Sequence, residues 1–188
     1  DNGDIFVNTT NGGNLLFKAS DRVANGGTPQ DSADGNSGRE SYAHLGHGGY
    51  NSSGNQVGDI TVGIDGTIDF LGGKHDQSYA LLGHGGTSAK GANSGAISVT
   101  ANGIDATDGF GIRFQSGGGD QAYTHLGHGG WDADSSTGGH NGNISVGTTA
   151  ANADIVFSGF SNNPADTDND NSYSQLGHGG RASNGNHF

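Results

Sequence analysis

The feature that most constrains the fold of this chain is an octapeptide that occurs four times. It reads YAHLGHGG at 42–49, YALLGHGG at 79–86, YTHLGHGG at 123–130 and YSQLGHGG at 173–180. The segments between the copies differ in sequence and in length. A catalytic site is normally needed once in a chain, so four copies in register indicate a part of the architecture, and such a repeat is interpreted before anything else.

Two shorter segments recur between the octapeptides. The first contains Ile-x-Val and stands at 4–7, 59–62, 96–99 and 143–146. The second ends in Phe and stands at 14–17, 67–70, 111–114 and 154–157. All three repeated segments alternate apolar and polar residues, which is the period of a strand with one buried face. The Gly, Asn, Asp and Ser residues between them tolerate tight turns.

Three short strands in each repeat, without helices, predict an all-β fold: a parallel β-helix, or solenoid, of about four repeats with outward loops rich in Gly, Asn and Asp. Equivalent strands then pair along the axis at about 4.8 Å, and contacts between neighbouring repeats stabilise a thin core. We expect Ile60 beside Ile97 and Leu82 beside Leu126; an antiparallel sandwich is the alternative. The predicted single domain, 1–188, divides into repeats at 1–49, 50–86, 87–130 and 131–180 and a tail at 181–188.

The composition limits the classes of protein that remain. The chain has 39 Gly, 29% hydrophobic residues and a net charge of -12, which would also suit a disordered chain, but disorder does not explain four octapeptides in register. The absence of Cys excludes disulfides and thiolate metal sites. Seven scattered Lys and Arg argue against nucleic acid as a partner, and no apolar run suits a membrane span. The chain starts with Asp and shows no signal peptide, so we expect a processed chain or a piece of a longer one.

Alternation within the octapeptide predicts which side chains face the core. The second, fourth and sixth positions, a small residue, Leu and His, should face inward, and the variable third position should face water. We expect the Tyr residues to face outward or to start the strand and to stack as a ladder, and the Gly-Gly pair to form a corner. The predicted structural residues are Tyr42, Leu45, His47, Tyr79, Leu82, His84, Tyr123, Leu126, His128, Tyr173, Leu176 and His178.

The four repeated His residues are predicted to form one axial row that is largely shielded from solvent. Stacked cations would repel each other, so most of these imidazoles should be neutral at pH 7 and bind loop backbone. The alternative is a metal ladder, because His is a common metal ligand. No carboxylate is repeated beside the His, which weakens that alternative.

Other candidate sites lie outside the octapeptide. Asp166, Asp168 and Asp170 alternate in an acidic loop and are a weak calcium candidate; the alternative is a solvated loop, and no other cofactor is expected. Asp132 and Asp134 are a weaker candidate for the same kind of site. An aromatic residue follows Gly-Gly at Tyr50 and at Trp131, where it could stack on a sugar ring or cover the strand. Arg39 and Arg113 show no carboxylate dyad nearby, so no catalytic residues are predicted.

The octapeptide and the strand segments resemble the repeat regions of large bacterial exoproteins of the filamentous haemagglutinin type. In those regions, segments like GDITV and TIDF precede motifs like AYAQIGHGG. The resemblance covers nearly the whole chain, from GDIFV to the last LGHGG. It implies a right-handed parallel β-helix that is exported and serves as a fibrous surface or matrix protein, and it supplies no catalytic residues.

These observations together predict a secreted or cell-surface structural protein, part of an extracellular fibre, adhesin or biofilm matrix, and not an enzyme. Open strand edges at both ends would pair with further copies, so the expected partner is the chain itself in a head-to-tail polymer. Ile5, Val7 and Phe188 are expected at the junction, and surface glycans are a further possible partner. The alternatives are a carbohydrate- or calcium-binding surface module and a polysaccharide-degrading β-helix enzyme.

Overall fold

The computed structural model describes residues 2–19, 41–134, 139–159 and 171–185. Within these ranges the chain consists of strands, bends and turns without a helix, so the prediction of an all-β chain is confirmed. No membrane-spanning helix is found in the described part of the chain.

Each described repeat contributes three or four short strands. In chain order they are β1 (Ile5–Asn8), β2 (Leu15–Lys18), β3 (Ala43–Leu45), β4 (Gln56–Val57), β5 (Ile60–Ile64), β6 (Ile68–Leu71), β7 (Ala80–Leu82), β8 (Asn93–Ser94), β9 (Ile97–Ala101), β10 (Phe110–Gln115), β11 (Thr124–Leu126), β12 (His140–Asn141), β13 (Ile144–Thr148), β14 (Asp154–Ser158) and β15 (Ser174–Leu176). The predicted segments all form strands, whereas the two-residue strands β4, β8 and β12 were not predicted.

Among the described residues, every sheet joins equivalent strands of successive repeats; three sheets have a strand from all four repeats, and the fourth has strands from the last three. The four sheets have the orders β1–β5–β9–β13, β2–β6–β10–β14, β3–β7–β11–β15 and β4–β8–β12, and all their strand pairs are parallel. Ile60 pairs with Ile97 and Leu82 with Leu126, as predicted. An antiparallel sandwich is therefore wrong for the described residues, and the arrangement is consistent with a solenoid.

One apolar core lies between the sheets and runs through all four repeats. In the two middle repeats its side chains are fully buried, as at Ile60, Phe70 and Phe114. The equivalent residues of the first and last repeats, such as Ile5 and Phe157, are only partly buried. Phe17, Phe70, Phe114 and Phe157 stack with ring centroids 4.7, 4.6 and 4.7 Å apart, which fixes the register of the second sheet.

Candidate functional site

The repeated octapeptide forms a corner that starts with a strand of the third sheet and ends in Gly-Gly. The strands β3 and β7 place Ala and Leu side chains in the core, as at Ala80 and Leu82, and β11 places Leu126 there. The sixth residue of each copy stacks on its equivalents in a row that we call the histidine row. It consists of His47, His84, His128 and His178, with ring centroids 4.9, 4.8 and 5.0 Å apart.

One nitrogen of three of the four imidazoles binds the preceding repeat. The backbone N–H of His47 donates to Nδ1 of His84 over 2.9 Å. The N–H of His84 donates to Nδ1 of His128 over 3.0 Å, and the N–H of His128 donates to Nδ1 of His178 over 3.1 Å. The histidine row therefore continues the backbone hydrogen bonding between repeats across a corner where regular strand pairing stops.

The other nitrogen of each imidazole binds its own repeat. The acceptor is always the carbonyl oxygen of the Gly that stands directly before the Ile-x-Val segment of that repeat; we call these residues the glycine row. The Nε2 atoms of His47, His84, His128 and His178 donate to Gly3, Gly58, Gly95 and Gly142, respectively, over 2.8, 2.8, 2.9 and 2.8 Å. Each bond joins the octapeptide to the Ile-x-Val segment of the same repeat.

The glycine row was not predicted, although the sequence contains a signal for it. Gly stands immediately before the Ile-x-Val segment in all four repeats, at the start of GDIFV, GDITV, GAISV and GNISV. A Cβ atom at Gly95 would lie 1.8 Å from the carbonyl oxygen of Gly58, and its φ of +145° is a region that side chains rarely adopt. Glycine is thus required where the carbonyls that bind the imidazoles stack.

The hydrogen bonds fix the protonation state of the histidine row. Nδ1 accepts a backbone N–H, and Nε2 faces a carbonyl that can only accept, so each ring with both contacts is neutral with its proton on Nε2. His84 and His128 are fully buried. Burial lowers the pKa of His128 to about 3, against a smaller opposite effect of its bond to Gly95. Burial likewise lowers the pKa of His84.

The same bonds bear on the metal-ladder alternative. In His84 and His128 the lone pair of Nδ1 and the proton of Nε2 are both engaged with backbone, so neither ring offers a lone pair to a cation. Within the described ranges, no group of three or more His, Cys, Asp or Glu is placed to hold a metal ion. Asp166, Asp168 and Asp170 lie outside the described residues, so calcium binding there stays a prediction.

The repeated Tyr residues form a second row on the other face of the third sheet. Tyr42, Tyr79, Tyr123 and Tyr173 stack with ring centroids 5.0, 4.7 and 5.1 Å apart. Tyr79 and Tyr123 are fully buried, together with Leu81. The chain that follows Gly-Gly folds back over these rings, and the hydroxyl of Tyr123 lies 2.9 Å from Oγ1 of Thr87. A second, smaller core therefore covers this face.

This second core makes the prediction for the third octapeptide position wrong. Leu81 and His125 are fully buried instead of facing water, and His44 and Gln175 are partly buried. Nε2 of His125 donates to the carbonyl of Gly177 over 2.6 Å, in the next repeat, as Nε2 of His44 does to Gly83. Strand alternation assigns this position to the outer face correctly, but the returning loop excludes water from that face.

The other candidate side chains lie in separate places. Trp131 packs against the second core, and the Arg181 guanidinium lies 4.9 Å above its ring. This position agrees with the interpretation that the aromatic residue covers the strand. Tyr50, at the equivalent position, is half-buried. Asp132 is exposed and Asp134 is half-buried. Arg39 and Phe188 lie outside the described residues.

The expectation that Arg113 lacks nearby carboxylates is wrong. Its Nε and Nη2 donate to Asp69 over 3.0 and 2.7 Å, and Nη1 donates to Asp108 over 3.2 Å. Asp69 is its neighbour in the preceding strand of the sheet, a relationship that the sequence alone does not display.

No family model, curated protein or solved structure matches the chain. The assignment of a function therefore depends on the geometry. At the octapeptide corner, that geometry joins neighbouring repeats through a row of imidazoles, of which His84 and His128 are buried and bonded at both ring nitrogens.

Proposed function

We propose that this chain is a rigid, non-enzymatic segment of an extracellular fibre of the adhesin or matrix type, folded as a right-handed parallel β-helix with one turn per repeat. The observation that carries the proposal is the continuity of the repeats. The three aromatic rows, of Phe, Tyr and His, run through all four repeats beside the parallel strands. Such a stack has one axis, and contacts between neighbours make it stiff along that axis.

The repeated polar groups form hydrogen bonds within the protein, which supports a structural role. A general acid or base must direct a proton or a lone pair toward a substrate. The ring nitrogens of His84 and His128 instead bind backbone, and the Tyr123 hydroxyl binds Thr87. The Arg113 charge is balanced by Asp69 and Asp108. The most repetitive residues of the chain thus hold the repeats together.

The ends of the described stack support head-to-tail assembly. Strands β1, β2 and β3 each pair on one side only among the described strands, as do β13, β14 and β15 at the other end. Leu126 is fully buried, but the equivalent Leu176 in the last repeat is 49% exposed. A second copy stacked on either end would cover this apolar surface and extend the sheets, because the two ends present opposite edges of the same sheets.

The free edge of β1 is defined by its hydrogen bonds. The N–H groups of Ile5 and Thr9 donate to Asp59 and Gly63 in the second repeat over 2.8 and 3.1 Å. Backbone groups alternate in direction along a strand, so the N–H of Phe6 points away from β5. The Phe6 side chain is 74% exposed. Ile5 and Val7 face the core, and their strand would form the junction.

Sedimentation velocity and electron microscopy of the purified chain test this assembly. We expect filaments one molecule wide that lengthen with concentration. Phe6→Pro removes the outward N–H without removing a bond to β5, so it should shorten or abolish the filaments. Phe6→Ala is the matched control, since it removes the exposed ring but keeps the N–H, and it should still assemble. Monomers at all concentrations, or filaments unaffected by Phe6→Pro, would contradict the head-to-tail junction.

The extracellular location is tested separately. Antibodies raised against the folded chain should label intact producing cells, and external protease should remove that label. Label that appears only after the cells are opened would contradict the location and leave the assembly result standing.

A further inference from the structure

A groove crosses the outer face of the second sheet, β2–β6–β10–β14. It consists of two depressions, of about 450 and 170 Å³, that meet at Gln115. Lys18, Leu71, Gln115 and Ser158 are register partners in successive strands and all line it. The groove therefore runs along the stack from the first repeat to the last, and in each repeat the residue at the same register position lines it.

The groove concentrates positive charge in an acidic chain. The whole chain has only seven Lys and Arg and a net charge of -12. Three of the seven, Lys18, Lys74 and Arg113, line this groove. Lys74 is exposed. Among the described residues, Asp108 is the only carboxylate that lines the groove, and Asp69 and Asp108 both bind Arg113, so the three cations exceed these two carboxylates by one. An anionic ligand is thus favoured here, in contrast to the acidic surface expected from the composition.

Arg113 is held as a rigid donor in the larger depression. Asp69 binds Nε and Nη2, Asp108 binds Nη1, and the guanidinium lies 4.3 Å above the Phe110 ring. A guanidinium has five N–H donors, and these bonds use three of them. The two remaining Arg113 donors can bind hydroxyl and carboxylate oxygens with little further loss of side-chain entropy, and the Gln115 amide beside them can bind the same groups.

We propose that this groove binds a segment of an acidic polysaccharide built from uronic acid residues. Strands in a sheet repeat about every 4.8 Å, close to the length of one pyranose residue in an extended chain, so successive sugars would meet successive repeats. Lys74 binds sugar carboxylates, and Arg113 and Gln115 bind the oxygens of neighbouring sugars. The proposal goes beyond the fibre function and uses different residues, so its failure would leave the fibre intact.

Titration calorimetry with an oligogalacturonate and with a neutral oligoglucan of equal length tests the proposal. We expect heat from the oligogalacturonate only, and weaker binding at high salt because the contacts involve charges. Lys74→Ala and Gln115→Ala should each weaken binding, the former about tenfold, since it removes a bond to a charged group. Lys90→Ala is the matched control, because Lys90 is exposed but does not line the groove.

Three results would overturn the proposal: no binding of the oligogalacturonate, equal binding of the neutral oligoglucan, or an equal loss in Lys90→Ala and Lys74→Ala. Thermal unfolding of each variant shows whether it folds. If Gln115→Ala does not fold, NMR shift changes on ligand addition replace it, and they should cluster at Gly117, Gly118 and Ser158. Shift changes elsewhere would also count against the groove.

Discussion

The backbone N–H of His84 donates to Nδ1 of His128 over 3.0 Å, although the two residues belong to different repeats. The same His128 ring donates from Nε2 to Gly95 over 2.9 Å, within its own repeat. The His128 ring therefore provides hydrogen-bond partners for two backbone groups that have no backbone partner at the Gly-rich corner. Removal of this ring leaves the buried N–H of His84 and the partly buried carbonyl of Gly95 without these partners, so the cost of the removal can be predicted.

We expect His128→Ala to lower the free energy of unfolding by about 3–5 kcal/mol, because each buried group left unsatisfied costs about 1–3 kcal/mol and the ring leaves a cavity. Urea unfolding at pH 7.5 measures this. His178→Ala is the control: His178 is only half-buried at the end of the row, so its loss should cost less. Equal costs at the two positions would contradict the bonding that we describe.

Acid should destabilise the fold in a defined range of pH. Burial lowers the pKa of His125 to about 4 and of His128 to about 3. In the unfolded chain these imidazoles take up protons near pH 6.5. Stability should therefore be complete above about pH 6.5 and fall as the pH decreases toward 4, by about 2 kcal/mol for each such imidazole at pH 5. Urea unfolding at pH 7.5, 6 and 5 checks this.

The chain itself provides a matched variant for the acid experiment. Gln175 occupies the position equivalent to His125 in the last repeat, so His125→Gln should fold. It removes one titrating group, although the neighbouring His140 and His178 remain, so its stability should fall less steeply with pH. A slope equal to that of the unaltered chain, or no loss of stability at pH 5, would show that these imidazoles are not buried and neutral.

Much of this architecture could be predicted from the sequence because it depends on short-range patterns. Alternating apolar residues identified every strand longer than two residues, and the repetition gave their pairing, as with Val62 and Val99. The strands β4, β8 and β12 share no apolar pattern; each begins with a buried polar residue, and the Asn93 amide lies 3.1 Å from Nδ1 of its register partner His140. Two residues carry too little periodicity to be recognised.

The errors at the candidate site have one cause, which is that contacts between residues distant in sequence are not visible in a short residue pattern. The outer face of β7 is dry because the chain after Gly86 returns over it, and strand alternation says nothing about a returning loop. The carboxylates around Arg113 come from the preceding repeat and from a turn. The acceptors of the histidine row belong to a segment distant in sequence, where only the repeated Gly marks them.

The first Gly of LGHGG should tolerate no side chain. At Gly83, φ is +145°, and a Cβ atom would lie 1.9 Å from the carbonyl oxygen of Gly127 in the next repeat. Gly83→Ala should therefore force the third sheet apart, and we expect a loss of more than about 3 kcal/mol or failure to fold. Gly147→Ala is the control, because a Cβ atom at Gly147 would have no other atom within 4 Å. Thermal unfolding of both variants decides; similar stabilities would contradict the close stacking.

The second core makes a prediction that a double-mutant cycle can isolate. The Tyr123 hydroxyl and Oγ1 of Thr87 lie 2.9 Å apart, and both residues are buried. Burial raises the pKa of Tyr123, so the phenol keeps its proton. Tyr123→Phe or Thr87→Val alone leaves one hydroxyl unpaired and should cost about 1–3 kcal/mol. The double variant removes both hydroxyls and should cost about 1 kcal/mol less than the sum of the two.

Tyr42→Phe is the control for this cycle, because Tyr42 is 45% exposed and water can replace a lost hydrogen bond there. It should change the free energy of unfolding by less than about 0.5 kcal/mol. Urea unfolding of the five proteins gives the coupling energy directly. Strict additivity of Tyr123→Phe and Thr87→Val would show that the hydroxyls do not bind each other, and the returning loop would then be held over the tyrosines by apolar contacts and by backbone bonds such as that from Ser88 to Trp131.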